Sequence, residues 1–296
     1  MKNGQRTRIK AVAAQLQQAF EDAGAVMREP DSLQPAEVLL DLYGEDIRAR
    51  AYVTRDHVQG ELMLRPDFTV PIVRMHMAEG AEPARYTYNG PVWRKQGAGS
   101  ARGPENIQVG FELFDRENPA AADAEVFALF NTLMDDWRGF GTIAVATGDI
   151  GILQAAVRGL NTTERRKAAL LRHLWRPARF RQLLDRFGGR TPVPEGREAL
   201  VAAAKQTSPE ALVRGAGPLV GLRTVEEIAA RIVDLAEDLA EEPISAGEYD
   251  LLGQILSLKS GSVAALESLR SLQADMPVLE AAVDRMAARL DALSAK

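Results

Sequence analysis

Four β-prone runs between residues 51 and 114 constrain the fold of this 296-residue chain more than any other feature. They are AYVT from residue 51, ELML from 61, RYTYNGPVW from 85 and NIQVGFELF from 106, with Gly, Pro and Asp between them. Short β-prone runs bounded by turn residues are typical of strands. Because the gaps between them are short, we expect neighbouring strands to pair as antiparallel hairpins.

Helical patterns surround these strands. Apolar residues recur at helical spacing from Ile9 to Phe20, and Gly24 then favours a stop. A short helix is expected over 68–77 and a longer one over 123–137, whose apolar positions, Phe130 among them, face inward. Strands and helices packed in this way form an α+β domain, here an antiparallel sheet flanked by helices.

The second half of the chain has a different texture. A last β-prone run at 142–147 precedes Asp149, whose carboxylate is expected to cap a helix starting near Ile150. Beyond it nearly every segment is helical, and two segments open with the capping-box patterns TVEE and SAGE. We therefore expect an α+β domain over 1–150 and a helical domain over 151–296.

Composition excludes several classes of protein. The chain has 36 Lys and Arg against 41 Asp and Glu, and its net charge of -5 gives no overall attraction to nucleic acid or to an anionic membrane. It has no cysteine and only three histidines, which disfavours metal sites and disulfides. No apolar run is long enough to span a bilayer. We expect a cytoplasmic protein with no metal, no cofactor and no membrane association, and we do not expect nucleic acid as a partner.

The segment LRPDFT, residues 64–69, is the first candidate for a binding site. A strand that stops at Pro66 and turns into a helix presents the carboxylate of Asp67 and the hydroxyl of Thr69 side by side, where an ammonium group can be held. The alternative is purely structural: Asp67 is the N-cap of the helix that runs to Met77.

A second group of candidates lies on the last two predicted strands. Side chains alternate along a strand, so Arg94 lies on the face opposite Trp93, and Gln108 and Glu112 share one face of the returning strand. A guanidinium, a carboxylate and an amide together suit an amino-acid ligand. The alternative is a weak cross-strand salt bridge between Arg94 and Glu112.

The basic segment 163–190 allows two interpretations. Arginines interleave with Trp175 and Phe180, as on a surface for nucleic acid or an acidic partner. Alternatively, its leucines form an ordinary buried stripe beneath solvated arginines, which we favour.

Three motifs in this order resemble histidyl-tRNA synthetases. LRPDFT is similar to their LRPEGT segment, GPVWRKQ to the GPMFRxE stretch of class II motif 2, and IQVGFELFD to the QxGxEVFG strand that follows. Residues 33–50 resemble motif 1, which builds the dimer interface of class II proteins. The likeness covers about the first half of the chain and implies a class II aminoacyl-tRNA synthetase-like fold.

The resemblance also implies a role for each matching residue. Asp67 and Thr69 match positions that hold the amino group of histidine, and Gln108 and Glu112 match positions on the histidine side of the pocket. Arg94 matches the motif 2 arginine that holds the reacting phosphate and carboxylate. The resemblance thus implies that these five residues form a histidine-like ligand site. We expect none of them to be catalytic, because the chain departs from the synthetase pattern elsewhere.

Several departures from the synthetase pattern are visible. Gln96 stands where the motif 2 glutamate contacts adenine, and the chain shows no RGLDYYT-like segment, no GGGRYD and no motif 3 arginine strand. A phosphoryl-type transition state needs preorganised donors on more than one side. We therefore expect neither ATP binding nor aminoacylation.

A synthetase-like body without this machinery resembles the regulatory subunits of ATP phosphoribosyltransferase. Runs such as LLDLYGEDIRARAYVTRD and ATGDIGILQAAVRGLNTTERRKAALLRHLWRPARF carry that likeness. The family implies a non-catalytic subunit that pairs with a short catalytic subunit in the first step of L-histidine biosynthesis, relays feedback by histidine, and forms a homodimer. The family's final strands are absent from this sequence.

Two other functions stay open. A histidyl-tRNA synthetase, or a catalytic fragment of one, is suggested by Arg94. An RNA-binding or general interaction module is suggested by the basic segment 163–190.

Overall fold

The computed structural model describes residues 3–43, 46–135, 144–221 and 223–295. The chain forms two compact units. The first unit is built from Met1–Val145 with Ala288–Lys296, and the second from Ala146–Ala287. The domains expected from the sequence, 1–150 and 151–296, stay a prediction, because compactness alone does not establish that either part folds by itself.

In the first unit, strands occur in consecutive pairs between helices along the chain. Its strands are β1 (Val26–Met27), β2 (Leu33–Pro35), β3 (Val53–Asp56), β4 (Gly60–Leu64), β5 (Ala84–Trp93) and β6 (Glu105–Phe114). Its helices are α1 (Asn3–Asp22), α2 (Ala36–Tyr43), α3 (Asp46–Arg50), α4 (Thr69–Glu79) and α5 (Pro119–Asp135). The four strands predicted from β-prone runs are β3 to β6.

The strands form two three-stranded sheets within the described residues, ordered β1-β5-β6 and β2-β4-β3. The pairs β3/β4 and β5/β6 are antiparallel hairpins, as predicted, and Tyr88 lies opposite Gly110 in the second of them. One detail corrects the expectation of an antiparallel sheet: β1 pairs with β5 in parallel. The chain between β1 and β5 is long enough to cross over, which a parallel pair requires.

The core of the first unit consists of three small clusters. One surrounds Met63, one surrounds Phe68 beside β5, and one places Phe20 of α1 against Phe111 of β6. The prediction that Phe130 of α5 faces inward is only partly right. Its ring lies 5.3 Å from that of Phe20, but 37% of the residue is exposed because it lies at the margin of this cluster. Residues 136 and 137 of the predicted helix lie outside the described residues.

The second unit is helical. Its helices are α6 (Ile150–Gly159), α7 (Glu164–Arg172), α8 (Pro177–Phe187), α9 (Glu195–Ala204), α10 (Pro209–Gly215), α11 (Val225–Ala240), α12 (Ala246–Ser257) and α13 (Ser262–Asp275), then a short 3-10 helix (Pro277–Leu279) and α14 (Glu280–Ser294), whose end belongs to the first unit. Asp149 caps α6 as predicted, since its Oδ1 accepts from the Gly151 amide at 2.7 Å. Both predicted capping boxes form, at Thr224 and Ser245.

The strand predicted at 142–147 is wrong where it can be checked. Residues 144–147 are exposed and have no regular structure, and no described strand pairs with them. Residues 142 and 143 lie outside the described residues. A β-prone run without a partner strand cannot satisfy its backbone groups as a strand.

One continuous core holds the second unit together. Leu170 of α7 and Phe180 and Leu184 of α8 are almost fully buried in it. The basic segment therefore covers an ordinary apolar stripe, as the favoured interpretation predicts. Arg166 is the exception among its arginines: it is 5% exposed, and its Nε donates to Asp238 Oδ1 at 2.7 Å.

Candidate functional site

The turn between β4 and α4 carries the first predicted site residues. Helix α4 begins at Thr69, and its N-cap is Phe68, which makes no side-chain cap. The alternative role of Asp67 as N-cap is therefore wrong, because Asp67 lies one residue too early. Its Oδ2 instead accepts a hydrogen bond from the hydroxyl of Tyr43, at the end of α2, at 2.7 Å.

Arg65 ties the turn between β4 and α4 to neighbouring segments of the chain. The side chain is buried, and its guanidinium donates to the carbonyls of Pro30 and Pro91. It also lies 4.0 Å from the centre of the Phe68 ring. A Cβ atom on Gly90 would come within 3.0 Å of both side chains, so glycine is what lets them pack against β5. Burial lowers the pKa of Arg65, but the carbonyl contacts keep its donors satisfied.

Across the sheet, Tyr88 connects the site residues of β6. Its ring stacks on Phe68 with centroids 4.5 Å apart, and its hydroxyl donates to Glu112 Oε1 at 3.3 Å and accepts from Gln108 Nε2 at 3.4 Å. This is possible because Tyr88 crosses over Gly110, where a Cβ atom would lie 2.3 Å from the tyrosine oxygen.

Thr69 closes the network. Its hydroxyl donates to Glu112 Oε1 at 3.0 Å, which joins the start of α4 to β6. Thr69, Gln108 and Glu112, three of the five predicted residues, thus share one hydrogen-bond network through Tyr88. Asp67 acts on Glu112 through its charge.

The site has more acceptors than donors. Asp67 Oδ1 and Gln108 Oε1 are buried, and no donor among the described residues reaches either atom. Burial raises the pKa of Glu112, and the charge of Asp67 raises it further, against the hydrogen bonds from Thr69 and Tyr88. Burial also raises the pKa of Tyr88 to about 12, with the charge of Glu112 adding to the effect. A cationic donor is the group that this arrangement accommodates best.

Arg94 lies apart from this network. It continues the strand line beyond Trp93, its Nε donates to the Pro66 carbonyl at 2.7 Å, and its backbone amide donates to Pro104. Glu112 pairs with Tyr86, at the other end of the hairpin. The alternative of a salt bridge between Arg94 and Glu112 is therefore wrong, because the register separates them by most of the strand length. The charge of Arg94 does act on Tyr43.

Gln96 is part of the turn that follows β5. Its amide donates to the Arg94 carbonyl at 3.1 Å, and its Oε1 accepts from Ser100 at 3.2 Å. The side chain is thus engaged within its own loop.

Sequence reasoning missed Tyr43 and Tyr88. Tyr43 reaches Asp67 from a helix 24 residues earlier in the chain. Tyr88 was detectable in principle, because it lies four residues before Val92 along the Arg94 face and opposite Gly110 in an antiparallel pair.

The sequence matches a known protein family and named relatives. The profile of the histidyl-tRNA synthetase family matches residues 2–254. A relative from Brucella canis, named ATP phosphoribosyltransferase regulatory subunit, is 32% identical over 273 residues, which span 88% of this chain and 71% of the relative. The chain belongs to the ATP phosphoribosyltransferase regulatory subunit family. A Brucella suis protein of the same name matches to the same extent.

Solved structures agree on the fold of this regulatory-subunit family member. A Bacillus halodurans protein, described as an ATP phosphoribosyltransferase regulatory subunit/histidyl-tRNA synthetase, superposes with a TM-score of 0.62 at 22% identity over 98% of this chain. Histidyl-tRNA synthetase from Nostoc sp. PCC 7120 gives a TM-score of 0.56 at 13% identity over 97%. The chain spans 61% and 55% of those two proteins. The predicted synthetase-like α+β fold is thereby confirmed.

Two kinds of feature are absent from the described residues. No helix in the described part of the chain is long and apolar enough to cross a membrane. Across the same residues, no group of three or more His, Asp or Glu side chains is placed to hold a metal ion.

Proposed function

We propose that this chain is the non-catalytic regulatory subunit of an ATP phosphoribosyltransferase, required for the first step of L-histidine biosynthesis and for its feedback regulation by histidine. The observation that carries this proposal is the 32% identity to curated regulatory subunits across 71% of their length. Those relatives are named regulatory subunits rather than enzymes or tRNA synthetases. A cytoplasmic location is part of the proposal and agrees with the lack of cysteine.

The test is reconstitution with the short-form catalytic subunit from the same genome. We expect the two proteins to co-elute and the rate of phosphoribosyl transfer to rise over the catalytic subunit alone. Histidine should then inhibit the complex more strongly than the isolated catalytic subunit, with a coupling of about 1–3 kcal/mol. Independent elution together with an unchanged rate would reject the proposal.

The polar network is the proposed histidine site of this subunit. Asp67, Thr69 and Gln108 supply acceptors for the ammonium group, and two of those acceptors, Asp67 Oδ1 and Gln108 Oε1, are buried without a donor. Glu112 adds a negative charge beside them. Arg94 is the cation that we assign to the carboxylate of the amino acid, because its exposed head is anchored through Pro66 next to Asp67.

Calorimetry with histidine tests this site. Glu112→Ala should weaken histidine binding at least tenfold, because a charge-assisted interaction typically contributes about 1.5–3 kcal/mol. Glu105→Ala is the matched control, since Glu105 lies on the same strand but pairs with Arg6 at its far end. Equal affinities for both variants and the wild type would remove histidine from this network while leaving the family assignment intact.

The competing function, histidyl-tRNA synthetase, has two supporting observations. The family profile of that enzyme matches residues 2–254, and Arg94 stands at the motif 2 position. Gln96, engaged with Ser100 in its own loop, replaces the adenine-contacting glutamate. We expect no histidine-dependent exchange of pyrophosphate into ATP; measurable exchange, lost in Arg94→Ala, would establish the synthetase instead.

Homodimerisation through the motif 1-like region 33–50 completes the proposal. Apolar side chains that a dimer would cover are exposed there and on the neighbouring strand: Leu33 is 42%, Leu42 62% and Val53 41% exposed. Light scattering should give the mass of a dimer, and Leu42→Glu should shift it to a monomer. Met77→Glu, at an equally exposed apolar position on α4, should leave the dimer intact.

A further inference from the structure

Most of the positively charged side chains of the segment 163–190 fall into two sets. One set is neutralised within the second unit by carboxylates, mostly of α11. The pairs are Arg165 with Asp234 and Glu237, Arg166 and Arg186 with Asp238, Lys167 with Glu164, and Arg190 with Asp250. Because carboxylates of the chain already compensate their charges, these side chains attract an anionic partner less.

The other set surrounds the turn between α7 and α8. Arg172, Arg179 and Arg181 are exposed, and none of them forms an ion pair with a carboxylate of the described chain. Trp175 lies in the same turn and is 77% exposed. A tryptophan left in water beside uncompensated arginines has the composition of a binding hot spot, in which Trp and Arg are enriched.

The backbone around Trp175 is ordered by the turn. Its backbone is closed by hydrogen bonds from His173 to Leu170, from Leu174 to Leu171 and from Arg176 to His173. Leu174, next to the tryptophan, is buried in the core of the unit. Docking a residue on such an anchored turn costs little backbone entropy.

The local field of the turn is positive although the whole chain carries a net charge of -5. Partial burial lowers the pKa of His173, and Arg179, Arg176 and Arg172 lower it further. His173 is therefore within electrostatic reach of arginines from both helices. A cationic island on an acidic protein steers an anionic partner to one face.

We propose that Arg172, Trp175 and Arg179, here called the Trp175 corner, dock an acidic face of the catalytic ATP phosphoribosyltransferase subunit. This inference rests on the proposed function and adds the surface by which the subunits meet. Carboxylates of the partner pair with the two arginines, and an apolar recess between them receives the indole of Trp175. A protein fits better than nucleic acid, because the basic side chains left over by internal pairing are too few for a phosphate backbone track.

The test measures the affinity of full-length variants for the catalytic subunit by calorimetry. Trp175→Ala should weaken binding at least tenfold, as expected for a hot-spot residue. The double variant Arg172→Glu, Arg179→Glu should weaken it at low salt by more than at high salt, because charge pairs at an interface are screened. All of these positions are exposed, so circular dichroism and the melting temperature should match the wild type.

Matched controls come from α13 of the same unit. Val263→Ala truncates an apolar side chain that is 73% exposed, and Arg270→Glu reverses an exposed arginine. Both controls should bind like the wild type.

The outcomes separate the two proposals. If the wild type binds and the Trp175 corner variants bind equally well, the docking surface is wrong and the regulatory function stands. If the wild type does not bind the catalytic subunit, both proposals fail. If subunit binding is unchanged but these variants lose salt-sensitive binding of tRNA, the corner is a nucleic-acid surface and this inference is overturned.

Discussion

The two units of this chain differ in the size of their cores and in which buried polar atoms they leave unpaired. The second unit has one large apolar core, and its most buried charge, Arg166, donates to Asp238 and to the carbonyls of Asp238 and Glu242 at the end of α11. The first unit has three smaller cores, and it leaves two buried acceptors beside the ionisable Glu112 without a donor.

The unpaired acceptors of the first unit bear on ligand binding. Polar groups that are fully paired rigidify a fold, whereas unpaired acceptors cost stability unless a ligand supplies the donor. The first unit, whose two unpaired acceptors lie beside Glu112, therefore gains from binding a cation. The second unit also has unpaired buried atoms, on Thr162, His173 and Arg186, but none of them belongs to a carboxylate.

The largest expected effect concerns the second unit. Arg166→Ala leaves Asp238 largely buried and removes donors from the end of α11, so the free energy of unfolding should fall by about 3–5 kcal/mol. The adjacent exposed Arg165 is the control, and Arg165→Ala should cost no more than about 1 kcal/mol. Urea unfolding measures both. Similar losses would mean that the interior ion pair is not what stabilises this unit.

The next effect contrasts one substitution in the two units. Gly110→Ala forces Tyr88 off the sheet, and the free energy of unfolding should fall by about 1–3 kcal/mol, as for other overpacked sites. In the second unit, Gly253 lies within α12 with nothing near its missing Cβ. Gly253→Ala should therefore raise stability by about 0.5–1 kcal/mol. Thermal unfolding checks the opposite signs; a loss for both variants would contradict the contrast.

A smaller effect isolates the donor from Tyr43. Tyr43→Phe removes the hydroxyl that donates to Asp67 Oδ2, so we expect a loss of about 1 kcal/mol in unfolding free energy and weaker histidine binding. Tyr52→Phe removes a hydroxyl that makes no hydrogen bond to a described residue and should change neither quantity. Chemical denaturation and calorimetry give the two readouts. Equal behaviour of the two variants would exclude Tyr43 from the site.

The smallest expected effect is a difference in pH dependence. Because burial raises the pKa of Glu112, its contribution to stability is present below the ordinary glutamate pKa and is lost as pH rises through the raised one. Glu226, at the start of α11, has a pKa lowered first by its own backbone amide. Its contribution is present at neutral pH and is lost on acidification.

Stability measured between pH 3 and pH 8, in about half-unit steps, distinguishes these two signs. Glu112→Gln should remove a decline on the alkaline side, and Glu226→Gln should remove one on the acidic side. Histidine binding should also strengthen as Glu112 ionises. The same slope in both variants would show that these carboxyls do not differ as described.

Much of the fold was predictable because its signals are local. The hairpin strands are indicated by β-prone runs between turn residues. The helix caps at Asp149, Thr224 and Ser245 are indicated by residues within three positions of each helix start. The strand expected at 142–147 failed in its described part because strand formation depends on a partner that a single run does not reveal.

The candidate site was only partly predictable, because its contacts are long-range. Alternation along β6 places Gln108 and Glu112 on one face, but only the register Tyr88 opposite Gly110 explains why a tyrosine joins them. Arg94 shares that face yet lies a hairpin's length from Glu112, which alternation alone does not separate. Whether the five predicted residues bind histidine stays a prediction.

Arg65 gives the candidate site an architecture that no linear peptide can copy. Through its contacts with Pro30, Pro91 and Phe68, this one side chain connects the β4–α4 turn to two segments that are distant in sequence. A lysine carries its three donors on one nitrogen and lacks the planar guanidinium that spreads its donors between two carbonyls while it stacks on an aromatic face. Transplanting the LRPDFT turn onto another scaffold therefore requires the two flanking proline segments as well, since they define where Asp67 and Thr69 come to rest.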